Sequence, residues 1–133
     1  MQKYSPATLP DVDAVELVDL RNIEADIVSQ YMLYAADVAG TPCDSESVNT
    51  IVSAWRLLPS GESARCHVPP IGFRFFVAGA IVLEASVCWR CNNLYGIENG
   101  ADVYCTFDAE SKPAQELLML GKRVIGNEVI GDG

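Results

Sequence analysis

The chain has 133 residues and carries 18 acidic against nine basic side chains, which gives a formal net charge of −9. A chain of this length fits one domain that buries roughly two-thirds of its unfolded surface, so its folding need not depend on metal or disulfide bonds. A negative field repels nucleic acid and anionic lipid and attracts basic proteins. Composition therefore favours a single acidic domain, residues 1–133, with cationic partners.

The N-terminal sequence gives no sign of export. Residues 1–13 lack a basic segment followed by an apolar stretch, and no apolar run in the chain reaches the roughly 18 residues that a membrane helix needs. We therefore expect a cytoplasmic protein whose thiols stay reduced.

The first part of the chain predicts one strand and one helix after an irregular lead-in, residues 1–10. Residues 11–20 resemble a strand, with Val15 and Leu17 on one side. Apolar residues in the stretch 22–40 then recur at steps of three and four, which predicts a helix capped by Asn22 and ended by Gly40. The predicted buried stripe of this helix is Ile23, Ile27, Tyr31, Tyr34 and Val38.

A second helix is predicted within residues 41–61. Asp44 or Ser45 serves as its N-cap, and Pro59 with Gly61 ends it. Its expected buried stripe is Val48, Ile51, Val52, Trp55 and Leu58. Trp55 is interpreted as a core residue, because apolar side chains at helical spacing usually pack inside.

From residue 62 the hydrophobic period changes to two, which predicts strands. Residues 65–68 suggest a short strand, and residues 73–89 a β-hairpin that turns near Ala78-Gly79. Residues 91–102 are interpreted as a polar turn region. A third strand follows over 102–109, and its predicted inward residues are Val103, Cys105 and Phe107.

A last helix is predicted within residues 111–124, with Ser111 as its cap and Gly121 as its stop, followed by a frayed tail over 124–133. Strands and helices in this order predict an α+β domain, in which a small antiparallel sheet has helices packed mainly on one face.

The cysteines and the single histidine raise a metal-binding alternative. Cys66-His67 and Cys88-x-x-Cys91 supply potential zinc ligands, and Cys105 could complete the set if its strand lies beside Cys88. Against zinc, Cys66 and His67 are adjacent, so on a strand they point to opposite faces. The alternative zinc site therefore comprises Cys66, Cys88, Cys91 and Cys105.

Thiol chemistry is a further alternative. A redox CxxC works at a helix N-terminus, whereas Cys88-x-x-Cys91 leads into a turn. Cysteine–histidine catalysis would need His67 near Cys66 or Cys88, together with an orienting partner that the sequence does not identify. The interpretation that we favour is that these cysteines are small buried side chains within a sheet. No cofactor and no catalytic residue is therefore expected.

A set of motifs resembles a family of small uncharacterised bacterial proteins. It consists of Arg-Cys-His-Val-Pro (65–69), Gly-Phe-Arg-Phe (72–75) and Cys-Trp-Arg-Cys-Asn-Asn (88–93), followed by a leucine-rich last helix. The resemblance covers residues 55–121. By size and charge alone, such chains also resemble immunity proteins, which neutralise interbacterial toxins.

The expected function is that of an acidic, non-catalytic immunity protein that binds and occludes a cognate toxin with a basic active site. The alternatives are a zinc-stabilised interaction module and a small thiol or redox enzyme. The expected contacts are acidic residues in polar segments: Asp44, Glu46, Glu98, Asp102, Asp108 and Glu110.

Overall fold

The structure is a computed structural model that describes residues 1–63, 65–126 and 133. Its strands are β1 (Gln2–Lys3), β2 (Ala14–Asp19), β3 (Thr41–Pro42), β4 (Ile71–Val77), β5 (Ala80–Cys88), β6 (Asn93–Glu98) and β7 (Ala101–Thr106). Its helices are α1 (Tyr31–Tyr34), α2 (Ser45–Arg56) and α3 (Lys112–Ile125). The strands form one sheet in the order β1-β7-β6-β5-β4-β2-β3, and every neighbouring pair is antiparallel except β1 with β7. The fold is α+β, as predicted.

Helices α2 and α3 cover one side of the sheet, which we call the first face. Trp55 of α2 is fully buried there, with its ring centroid 5.4 Å from that of Phe73 and 4.8 Å from that of Phe75. Both helices begin at predicted caps, because Asp44 accepts a hydrogen bond from the Ser47 amide and Ser111 one from the Ala114 amide. The amphipathic pattern of α2 was therefore sufficient to place it.

Residues 20–40 cross the opposite side of the sheet, the second face, and here the predicted long helix is wrong. Only a 3₁₀ turn over Val28–Gln30 and the four-residue α1 are helical. Met32 and Ala35 are buried, whereas Ile27 and Tyr34 of the predicted stripe are exposed. The segment before α1 includes Ile23, Ile27 and Val28, β-branched residues with lower helix propensity than alanine or leucine, and tertiary contacts decide which side chains turn inward.

Two tight hairpins build the centre of the sheet. The first turns at Ala78 and Gly79, as predicted, and both residues have positive φ, 50° and 82°, as a two-residue type I′ turn requires. The second turns at Asn99 and Gly100, with φ of 49° and 86°. The prediction of a polar turn over residues 91–102 is therefore wrong, because Asn93–Glu98 forms β6 and β7 begins at Ala101.

Both ends of the chain also differ from expectation. The lead-in supplies β1 and buries Tyr4 and Leu9 in the main core. Gly121 does not stop the last helix; it lies inside α3, where a Cβ atom would overlap Ile71, and Gly126 follows the helix end with φ 135°. Of the predicted frayed tail, 124–125 belong to α3, and 127–132 lie outside the described residues.

Candidate functional site

A buried polar cluster occupies the second face, and the loop between α2 and β4 delivers its central residue, His67. His67 is 3% exposed. Its ring packs edge-on against Tyr95 and Tyr31, with centroids 4.6 Å and 5.6 Å away. The predicted short strand over residues 65–68 is wrong. The prolines at 69–70 lack amide hydrogens for a strand ladder and hold the loop extended as it enters β4.

The hydrogen bonds of this cluster fix the tautomer of His67. Asn93 donates its side-chain NH₂ to the carbonyl of Cys66 at 2.8 Å, so its Oδ1 faces His67 Nδ1 at 2.7 Å. Nδ1 therefore carries the proton, and Nε2 accepts from the Ser86 hydroxyl, whose oxygen is 2.8 Å away. The Ser86 hydroxyl also lies 3.2 Å from the carbonyl oxygen of Tyr95.

Burial keeps the imidazole neutral. Desolvation lowers the pKa of His67 to about 4, and the hydrogen bond with Asn93 opposes this shift only in part. If His67 is protonated, Nε2 becomes a donor and Ser86 can turn its hydrogen to the Tyr95 carbonyl. The hydrogen bonds of His67 therefore persist when it is protonated, and the free-energy cost of the protonated form is chiefly that of removing its charge from water.

A disulfide bond holds the loop in place. Cys66 and Cys91 are bonded, with their Cα atoms 5.6 Å apart. Cys66 directly precedes His67, and Cys91 lies two residues before Asn93, so the bond ties together the two segments that supply the central hydrogen bond. The expectation that every thiol stays reduced is contradicted for this pair. Cys43, Cys88 and Cys105 are free thiols.

The cysteines predicted as alternative zinc ligands are not brought together. The sulfur atoms of Cys66 and Cys91 are bonded to each other, so neither is a free thiolate ligand. Cys88 follows Ser86 on the second face, whereas Cys105 packs in the core of the first face. Within residues 1–63, 65–126 and 133, no group of three or more histidine, cysteine, aspartate or glutamate side chains stands close enough to hold a metal ion.

Two cysteines match the interpretation of buried sheet thiols. Cys88 and Cys105 are 0% and 2% exposed, and desolvation raises the pKa of Cys105 to about 12. A thiol with so high a pKa is a poor nucleophile at neutral pH. The Cys88-x-x-Cys91 pair is not the disulfide, because Cys91 is bonded to Cys66 instead.

The cluster has the order of a nucleophile, a base and an orienting group: Ser86, His67 and Asn93. Hydrolases activate a serine through such an arrangement. The sequence did not reveal it, because the three residues lie on separate segments of the chain: the pairing of β5 with β6 brings Ser86 and Asn93 together, and the loop before β4 places His67 beside them. Ser86 is 1% exposed, so a substrate cannot reach its hydroxyl in this structure. The arrangement therefore serves here to fix the loop to the sheet.

A second polar feature on this face is a row of charged residues across three strands. Glu16, Arg74 and Glu84 are paired in register on β2, β4 and β5. The Arg74 guanidinium donates to the carbonyls of Val38 and Ala35 at 2.9 Å and 3.0 Å, and lies 3.6 Å from Glu16. Burial raises the pKa of Glu84, while Arg74 opposes the shift. The Arg74 guanidinium therefore stands between two carboxylates, those of Glu16 and Glu84.

The acidic residues predicted to bind a partner lie at three separate places in the fold. Glu98 and Asp102 flank the β6–β7 turn, whereas Asp108 and Glu110 follow the far end of β7, about 17 Å away at 3.4 Å per strand residue. The other predicted residues, Asp44 and Glu46, lie at the start of α2.

Some of these acids have local structural roles. Asp44 caps α2, and its pKa is lowered by the hydrogen bonds from Ser47. Asp108 accepts a hydrogen bond from the amide of Glu110 at 3.0 Å, within the turn before α3. Their position in the sequence is therefore explained without a partner.

Comparisons with known proteins return no relationship. No protein family, no curated protein and no solved structure matches the chain significantly. Among the described residues, no helix is both long and apolar enough to span a membrane.

Proposed function

We propose that this protein is a non-catalytic, acidic binding protein that attaches to a basic surface of a partner protein and covers it. The partner class that we infer is a cognate bacterial toxin, which makes the chain an immunity protein. Electrostatic attraction would speed the encounter of the two proteins, and burial of the basic surface would block its access to substrate.

The observation that supports the proposal is that few surface carboxylates of the described residues form ion pairs with basic side chains of the same chain. Among the described residues, arginine side chains form ion pairs with Asp11, Glu16 and Asp19. The chain has 18 acidic residues, and most of the described ones are exposed or half-exposed outside these pairs. Uncompensated charge of one sign attracts a partner of the other sign and discourages self-association.

The experiment uses the protein encoded next to this chain. The two proteins are produced together and separately, and binding is measured by calorimetry at low and high salt. We expect a complex that weakens as salt rises, together with loss of the toxin's activity on binding. A neighbouring protein that is basic and toxic, yet neither binds nor is inhibited, would overturn the proposal.

The cytoplasm is the compartment that this proposal assigns, and the disulfide bond makes it testable. Disulfides persist in oxidising compartments and are rare in the cytoplasm. Alkylation of thiols in intact cells, before lysis, measures the state of Cys66 and Cys91. A cytoplasmic chain is expected to have this pair alkylated, and a fully bonded pair would instead place the protein outside the cytoplasm.

A further inference from the structure

A concentration of exposed apolar side chains lies on the segment that crosses the second face. Ile27, Val28, Leu33 and Tyr34 are 51%, 47%, 52% and 43% exposed. Ile27 directly precedes the 3₁₀ turn that begins at Val28, and Leu33 and Tyr34 belong to α1. Helical turns of this length span at most about 16 Å, so the four exposed side chains lie in one region of the surface. Single exposed apolar residues are normal, whereas a contiguous group indicates an interaction surface.

The segment that carries this patch is fixed to the sheet by buried side chains and hydrogen bonds. Met32 and Ala35 of the same segment are buried against the sheet. Arg74 donates hydrogen bonds to the carbonyls of Ala35 and Val38. Since the backbone is already fixed, a partner that binds the exposed side chains does not have to order this segment, which favours affinity.

The border of the patch is acidic. Glu24, Asp26 and Asp37 are exposed on the same segment, and no lysine or arginine occurs between Arg21 and Arg56. We define the acid-rimmed patch as Ile27, Val28, Leu33 and Tyr34 together with Glu24, Asp26 and Asp37. An apolar centre with a charged rim is the usual anatomy of a protein interface.

An open groove continues the patch across the sheet. Ala36, which follows Tyr34 closely in the chain, lines a cavity of about 350 Å³ with Phe76 and Ile81. Glu16 and Glu84 line it as well, on either side of Arg74. Its apolar wall suits the methylene chain of a lysine or arginine. Its two carboxylates outnumber the single guanidinium of Arg74, which suits the charged end of that side chain.

We propose that the acid-rimmed patch and its groove form the docking surface for a protein that presents an apolar protrusion bordered by lysine and arginine. This inference rests on the proposed function and names the surface that performs it. A second copy of this chain is a poor occupant, because two acidic rims would face each other and repel. The surface also differs from the acidic residues that the sequence predicted, which lie elsewhere.

The test uses a defined probe, a synthetic peptide in which leucine and lysine alternate, and a leucine–glutamate peptide as its charge-reversed control. Backbone NMR spectra of the ¹⁵N-labelled protein map the binding site. We expect the basic peptide to shift the amide signals of residues 24–37, Phe76 and Ile81, and the acidic peptide to shift none. Shifts centred on the β6–β7 turn, or spread evenly over the surface, would overturn the proposal.

Matched variants distinguish binding at the patch from general attraction of the basic peptide to an acidic protein. Leu33→Ser and Asp37→Lys should each weaken the basic peptide about tenfold or more, the loss typical of a central interface residue. The controls are Leu57→Ser and Asp102→Lys, which change an exposed leucine and an exposed aspartate outside the patch, and they should retain affinity. Equal losses in patch and control variants would contradict the assignment. Far-UV circular dichroism verifies that each variant folds.

The same variants, tested against the toxin, distinguish the two proposals. If the toxin binds and the patch variants bind it as well as the unmodified protein, the docking surface is wrong and the proposed function stands. If the basic peptide maps to the patch but the neighbouring protein neither binds nor is inhibited, the surface stands and the proposed function fails.

Discussion

Breaking the Cys66–Cys91 bond should destabilise the protein by about 3.5 kcal/mol. The bonded residues are 25 positions apart, and the chain-entropy relation for closing a loop of this length gives that value at 25 °C. For a chain of 133 residues, the unfolding entropy converts this into a fall in Tm of about 12 °C. The core of the first face does not depend on the bond, so the reduced protein should still fold.

The assay is urea denaturation followed by tryptophan fluorescence, with and without a phosphine reductant. The double variant Cys66→Ala/Cys91→Ala should match the reduced protein and should not respond to reductant. Cys43→Ala is the control, because Cys43 is free and half-buried, and this variant should keep the response. When the purified, air-oxidised protein is denatured without reductant we expect three titratable thiols, and after reduction all five.

Two results would refute the reasoning. If five thiols titrate without reductant, the bond does not form in solution. If three titrate but reduction leaves the unfolding free energy unchanged, the loop is already restricted in the unfolded chain and the entropic argument fails for this protein.

Three further predictions concern His67, Tyr4 and Gly61. Burial lowers the pKa of His67 from 6.5 to about 4. As pH falls below 6.5, the unfolded chain therefore binds a proton at His67 before the folded protein does. The free energy of unfolding should then decrease by about 3 kcal/mol between pH 6.5 and pH 4. His67→Gln should flatten this part of the profile of unfolding free energy against pH, and an unchanged slope would contradict it. Tyr4→Phe removes the oxygen that accepts the Trp55 indole N–H at 2.9 Å, and should cost about 1–3 kcal/mol in urea denaturation; a neutral change would show that the indole finds another acceptor. Gly61→Ala should cost about 1–3 kcal/mol, because its Cβ would overlap the backbone of Phe107; equal stability in thermal denaturation would mean that this backbone moves aside freely.

Predictions succeeded where a local pattern determines the structure. The N-caps Asp44 and Ser111, the stripe of α2 and the turn at Ala78-Gly79 all depend on residues within a few positions of one another. Strand β6 has an equally local signal, because Asn99-Gly100 is a strong two-residue hairpin motif. This dipeptide indicates a strand on each side of it, as β6 and β7 show.

Predictions failed where distant residues decide. Helical spacing over residues 22–40 matched a buried stripe, but Arg74 of β4 binds the carbonyls of Ala35 and Val38. The segment therefore lies on the sheet by its tertiary contacts rather than by a continuous helical face. Gly121 reads locally as a helix stop, yet its lack of a side chain allows α3 to approach Ile71.

By itself, the sequence determined the α+β class, both long helices, the first hairpin and the acidic character, because periodicity, capping and charge are properties of neighbouring residues or of the whole composition. Only the tertiary structure decided that Cys66 bonds Cys91, that His67 meets Ser86 and Asn93, and that Arg74 binds the carbonyls of Ala35 and Val38. These features depend on strand order and register, which bring together segments far apart in the chain, and no local pattern encodes which of them will meet.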